Sequence, residues 1–127
     1  MDQIAHRHRV LLVEDEPLVA MMMEQILEDL GRNPTVASRV DDALSLAKTC
    51  DFDVAILDVH INGDFVFPIA DVLAERGIPF LFATGRGEKD IPQSHRGRPL
   101  LTKPFPPEEL VSVLDRLEYE NVQAAFH

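Results

Sequence analysis

The sequence predicts an α/β fold, a parallel sheet with helices on both faces. Short apolar runs such as "RVLLV" and "VAIL" carry no alternating polar residues, as in strands covered on both sides. Between them lie segments whose apolar residues recur at helical spacing. Gly and Pro stand at the junctions, where they stop one element or start the next. Strands alternating with helices of about three turns mean stacked β-α units, with right-handed crossovers placing helices on both faces.

The elements follow in order. Arg9–Val13 is the first strand. Pro17 suits a first helical turn, and the helix it opens carries Leu18, Met22, Ile26 and Leu30 in one row, with Val19, Met23 and Leu27 beside it. Gly31 stops it. Thr35–Ala37 is a weak second strand. Ser38 is placed to cap a second helix carrying Ala43, Leu44, Leu46 and Ala47, with Asp41 at a capping-box-like position. Asp53–Leu57 is the third strand, and Phe67–Arg76 a helix ended by Gly77. Pro79–Ala83 is the fourth strand. The segment up to Arg98 has the poorest signal and reads as loop with a short helix. Leu100–Thr102 is the fifth strand. Pro106 or Pro107 starts a last helix, with Leu110, Leu114 and Leu117 on one face, and the tail from Asn121 is expected to fray.

The 127 residues suit one domain, 1–127, with a core over about 9–120, and no repeat, low-complexity segment or linker breaks it. A formal charge of −10 argues against nucleic acid or an anionic membrane as partner, since both reward surplus Lys and Arg. The local exception, Arg86, Lys89, His95, Arg96 and Arg98, reads as a solvated surface. No apolar run is long enough to span a bilayer, and the start lacks an apolar signal-peptide core. A single cysteine, Cys50, excludes an internal disulfide and reads as a small buried or half-buried residue. These features together predict a cytoplasmic protein.

In open parallel sheets the ligand site lies off the carboxyl ends of the strands. Here strand one ends in Glu14, Asp15 and Glu16, strand three in Asp58, strand four in Thr84, and strand five in Lys103 before Pro104. Singly, each has a plain reading: the first three acids as partners of a helix N-terminus, Asp58 as a turn cap, Thr84 as a turn residue, Lys103 as a surface lysine. Their joint placement on successive strand ends argues for a site. Hard oxygen ligands favour Mg²⁺, with Asp15 and Asp58 as its carboxylates and the backbone carbonyl of His60 completing the protein share. Asp58 is also a candidate nucleophile toward phosphorus, forming an acyl phosphate. Lys103 would meet one phosphoryl oxygen as a point charge and Thr84 another through its hydroxyl.

These residues resemble a response-regulator receiver domain. The resemblance runs from Arg9 to about Leu117 and is carried by "VLLVEDEPLVA", "AILDVHING", "FATG" and "LTKPF". It implies a flavodoxin-like (βα)5 fold, sheet order 2-1-3-4-5 with five helices. It makes Asp58 the phosphorylation site, Glu14 and Asp15 the Mg²⁺ acids, His60 a backbone metal ligand, Thr84 the switch hydroxyl and Lys103 the phosphate-binding amine, followed by a cis proline. "PFLFATG", and the lack of a Pro-Gly turn after the acceptor, resemble the stand-alone FATGUY-type subgroup, whose sensor histidine kinases are HWE-type or related. Two departures stand out. Leu100 occupies the position of the family's aromatic switch residue, and Arg86-Gly87 replace the subgroup's tyrosine. His60 and Arg86, two residues after Asp58 and Thr84, fall where receivers face the attacking water.

The expected function is a single-domain regulator, a monomer or weak homodimer. It takes a phosphoryl group from a histidine kinase and acts through a downstream protein or as a phosphate sink. One alternative is a receiver-shaped adaptor that works without phosphate. Another is an aspartyl phosphohydrolase, disfavoured because His60 stands where such enzymes carry a second aspartate. A nucleotide-binding reading fails because no GxGxxG or GxxxxGK[ST] follows the first strand.

Overall fold

The computed structural model describes residues 9–125. The chain start and residues 126–127 of the tail lie outside them. Five strands form one parallel sheet: β1 (Arg9–Val13), β2 (Asn33–Ala37), β3 (Val54–Asp58), β6 (Phe80–Thr84) and β7 (Leu100–Thr102), in the order β2-β1-β3-β6-β7. Leaving out the small hairpin β4 (His60–Ile61) and β5 (Asp64–Phe65), this is the expected order 2-1-3-4-5. Among the described residues four α-helices accompany the sheet: α1 (Pro17–Asp29), α2 (Val40–Thr49), α3 (Phe67–Glu75) and α4 (Pro107–Ala125).

Strand pleating sorts the core into two layers. Leu11, Val13, Ala55, Leu57, Phe80 and Phe82 face α2 and α3. Val10, Leu12, Val54, Ile56, Leu81 and Leu101 face α1 and α4, meeting Met23, Leu27, Leu110, Leu114 and Leu117. β3 and β6 are buried along their whole length, which is why both read as unbroken apolar runs.

Several expectations are corrected. On α1 the row Leu18, Met22, Ile26 and Leu30 lies mostly outward: Leu18 and Met22 are 75% and 66% exposed and Leu30 is exposed too, and Ile26 alone of the four packs partly buried against the core. Ala20, Met23 and Leu27 are buried instead, because a helix on a sheet buries one stripe and the neighbouring apolar row stays outside. Ser38 does not cap α2. Arg39 holds the N-cap position without a side-chain bond, and the Ser38 carbonyl accepts a hydrogen bond from Asn62 Nδ2 at 2.9 Å. The connection between β6 and β7 contains a short 3₁₀ turn, Gln93–His95, where the resemblance implied a fifth helix. Gly85, Gly87, Pro92, Gly97 and Pro99 deny that segment a continuous helical run. α4 continues to Ala125, past the point where fraying was expected.

The basic stretch is not simply solvated. His95 is 5% exposed, with its ring among Phe67, Phe80 and Phe82 and its Nε2 2.6 Å from Asp71 Oδ1. Arg98 stacks over Phe80 at 4.2 Å, and Arg96 Nε donates to the Ile91 carbonyl at 3.1 Å. Cys50 is half-buried and free. Among the described residues no helix is long and apolar enough to cross a membrane.

Candidate active site

The carboxyl ends of β1, β3, β6 and β7 bring Glu14, Asp15, Asp58, Thr84 and Lys103 to one cleft. Parallel register makes this unavoidable: Val13 pairs with Leu57, Asp58 with Ala83, and Thr84 with Thr102, so the residues just beyond share one edge. Glu14, Asp58 and Thr84 are 1%, 9% and 1% exposed. The cleft is about 490 Å³, and Asp15, His60 and Arg86 contribute to its lining.

Lys103 organises the acids. Its Nζ lies 2.6 Å from Glu14 Oε1 and 3.2 Å from Asp58 Oδ2. The peptide bond from Lys103 to Pro104 is cis, as the resemblance implied. Glu14 also accepts the Glu16 backbone N–H at 3.1 Å. Asp15 Oδ2 accepts the backbone N–H of Asn62 at 2.9 Å, tying the first strand's end to the β4–β5 hairpin. The Thr84 hydroxyl accepts the backbone N–H of Arg86 at 3.1 Å.

The electrostatics follow from burial and charge count. Burial, reinforced by the charge of Glu14 and opposed by Lys103, pushes the Asp58 carboxyl up to about 6 from 3.8. Burial alone would lower the Lys103 pKa. The Glu14 hydrogen bond and the charges of Asp58 and Glu14 outweigh it, so the net shift is upward and the ammonium stays charged at neutral pH. One ammonium among three carboxylates leaves the cleft short of positive charge. Glu14, Asp15 and Asp58 each offer one oxygen, all within 4.8 Å of one another. A hard divalent cation fits this donor set and would relieve the deficit.

A family profile for the response regulator receiver domain matches residues 10–115. The chain belongs to the response regulator receiver domain family. Among solved structures it is similar to SdrG from Sphingomonas melonis Fr1, at 41% identity over 86% of this chain and 94% of that one, TM-score 0.76. The anti-anti-sigma factor PhyR from Bartonella quintana is 26% identical over 92% of this receiver and 49% of PhyR, TM-score 0.79. The receiver domain of the sensor histidine kinase PA1611 from Pseudomonas aeruginosa, solved with magnesium in its active-site cleft, shares the fold at 24% identity, covering 87% of this chain and 97% of that one, TM-score 0.77. The chain spans about half the length of the curated relatives it matches, 53% for the first of them. Receiver domains of two-component signalling are phosphoacceptor modules that bind Mg²⁺ in an acidic pocket, and the acidic triad here fits such a pocket.

The structure brings together every strand-end residue singled out from the sequence. Leu100 sits apart, partly buried against the core beside α2 and α3. Sequence reasoning missed two features at the cleft. One is the hairpin, although "HINGDF" carries the Asn-Gly signal of a tight hairpin turn: Asn62 and Gly63 have φ of 51° and 84°. The other is Asp90, whose Oδ2 lies 3.3 Å from His60 Nε2 and 3.9 Å from Arg86 Nη1. An Arg-Asp pair four apart was visible in the sequence, but the third partner comes from a distant strand end.

Proposed function

We propose that this receiver accepts a phosphoryl group on Asp58 from a sensor histidine kinase and signals through a downstream protein. The observation that carries the proposal is Lys103 Nζ held between Glu14 and Asp58, with Asp15 completing a set of three acids whose oxygens lie within metal-ligand reach of one another. An Asp58 carboxylate oxygen attacks phosphorus as the bond to the donor's histidine nitrogen breaks, and that nitrogen leaves with the electron pair. Lys103 keeps its charge and shifts from the acids toward a phosphoryl oxygen. Thr84 turns its hydroxyl to another, giving up the Arg86 N–H. Glu14, Asp15, Asp58 and the His60 carbonyl would hold Mg²⁺, which supplies positive charge against the phosphoryl oxygens. His60 and Arg86 stand at the mouth and set the approach of hydrolytic water.

The "PFLFATG" run and the lack of a Pro-Gly turn after Asp58 support membership of the FATGUY-type subgroup, with an HWE-type or related kinase as donor. SdrG has also been solved in a BeF₃-activated conformation. The resemblance to PhyR, named an anti-anti-sigma factor, supports output by protein–protein contact rather than turnover of a separate substrate. Residues 1–127 act as a single receiver unit, and the partly buried Leu100 replaces the rotating aromatic, so output uses another surface.

The test is incubation with Mg²⁺ and a small phosphodonor, followed by intact mass, beside an Asp58→Asn control. One phosphoryl adduct that needs Mg²⁺ and vanishes in the control is expected. No adduct, together with no beryllofluoride binding, would leave the phosphate-independent adaptor standing.

A further inference from the structure

Asp90 is a half-buried acid that no step above uses. Its Oδ2 is inaccessible to solvent and makes no aligned hydrogen bond. A carboxylate oxygen in that condition is costly unless cations stand near it. Its neighbours are the His60 imidazole at 3.3 Å and the Arg86 guanidinium at 3.9 Å, the two side chains flanking the mouth of the phosphoryl cleft.

The three groups differ in how firmly they are held. Ile91, next to Asp90, is buried in the core, its N–H donates to the Glu88 carbonyl at 3.0 Å, and its carbonyl accepts from Arg96. Asp90 is therefore fixed in place. Arg86 lies between Gly85 and Gly87, its side chain is 65% exposed, and its anchorage at the cleft is its backbone N–H on the Thr84 hydroxyl. The guanidinium is an exposed arm beside a fixed acid.

We infer that Asp90 is a positioning residue that draws Arg86 aside from the phosphoryl group and so shortens the life of the acyl phosphate. The inference rests on the phosphoacceptor reading. A phosphoryl group on Asp58 is a second anion within the arm's reach. When Thr84 turns toward it, the Arg86 N–H is released and the arm is freer to follow. A guanidinium lying over the phosphoryl oxygens covers the line along which water attacks phosphorus. Asp90 competes for that guanidinium and keeps the line open. Hydrolysis itself is unchanged in kind: water oxygen bonds to phosphorus, the bond to the Asp58 oxygen breaks, and the carboxylate leaves with the pair while the water's protons pass to phosphate and solvent.

The experiment is acyl-phosphate lifetime, by intact mass after removal of the phosphodonor, in the parent, Asp90→Ala, Asp90→Asn, Asp90→Glu, Arg86→Ala and the double variant Asp90→Ala/Arg86→Ala. A partly exposed ion pair of this kind predicts a lifetime about two- to fivefold longer in Asp90→Ala and in the isosteric Asp90→Asn. Asp90→Glu should return toward the parent, and the double variant should match Arg86→Ala alone. Unchanged lifetimes in both Asp90→Ala and Asp90→Asn would overturn the inference, as would an equal lengthening when Arg86 is already gone. Failure of the parent both to form an adduct and to bind beryllofluoride would instead sink the phosphoacceptor reading, and the inference with it.

Discussion

The strand-end cluster and the connection from Gly85 to Pro99 lie side by side, yet they are built differently. In the cluster, each polar residue follows directly from a strand whose position in the sheet is set by register. Glu14, Asp58, Thr84 and Lys103 meet because four parallel strands end at one level. In the connection, no ladder sets position. The segment is held by single side chains that reach inward: Ile91 and His95 into the core, Arg98 onto Phe80, Asp90 toward His60. Periodic backbone hydrogen bonding makes location a property of the element. Without it, location depends on the partner each residue finds.

The largest effect expected from this contrast is at Lys103. Lys103→Met removes the one ammonium from an edge where Glu14 is almost fully buried. Breaking such a pair leaves an uncompensated carboxylate, and we expect a loss of about 3 kcal/mol in metal-free urea unfolding. The folded-state Lys103 pKa is raised, so its contribution is complete below the unfolded value and is lost only as alkaline pH passes the folded one. The loss should therefore be full at neutral pH. Mg²⁺ should bind the variant more tightly than the parent, since the lysine no longer repels it. Equal stability of parent and variant would show that the Lys103 ammonium does not hold the acids of the cluster in place.

His95→Ala makes the corresponding break in the connection. It removes a ring packed among Phe67, Phe80 and Phe82 and its contact to Asp71. A cavity of that size costs about 2–3 kcal/mol, read from the same unfolding curves. If the variant lost less than about 0.5 kcal/mol, as surface substitutions do, the connection would behave as the solvated loop its composition suggests.

The two regions also differed in how far the sequence disclosed them. The five strands and the strand-end residues were legible because burial on both faces leaves unbroken apolar runs, and a polar residue ending such a run is conspicuous. The two rows of α1 were legible as amphipathic, but which row faced the sheet was not: Leu18 and Val19 are equally apolar, and the rotation of the helix is set by tertiary packing. His95 and Arg98 read as surface because their stabilising partners, Phe67, Asp71 and Phe80, lie elsewhere in the chain. Asp90 was hidden for the same reason. The hairpin's turn was legible in Asn62-Gly63, but its strands are two residues each, too short for any alternation of apolar and polar residues to mark them.

A third test returns to the cluster through pH. The Asp58 pKa is raised on folding, so the metal-free folded state binds its proton more tightly than the unfolded chain does. Stability from this source is fully present below the unfolded value of 3.8 and falls as pH rises toward the folded value of about 6. Asp58→Asn removes that penalty. In chelator, the variant should match the parent near pH 4 and exceed it by about 1–3 kcal/mol near pH 7.5. A constant difference across that range would mean that burial of Asp58, and not its ionisation, sets the effect.

The smallest expected effect is the most discriminating for the connection. Lys89 and Arg98 belong to the same basic stretch and carry the same charge, but Lys89 is exposed and Arg98 is half-buried over the Phe80 ring. A cation stacked on an aromatic face at such a site contributes about 0.5–1 kcal/mol, partly through the contact of its stem with apolar surface. Arg98→Ala should therefore lower stability by that amount, while Lys89→Ala should leave it unchanged. The acidic balance of the whole chain, −10, gives both substitutions the same unfavourable change in net charge. Any difference between the two must then come from the local contact. If Arg98→Ala and Lys89→Ala are indistinguishable, the Arg98 stack on Phe80 does not help to hold the second half of the connection, which is left to His95 and to the Pro99 carbonyl on the Phe82 N–H.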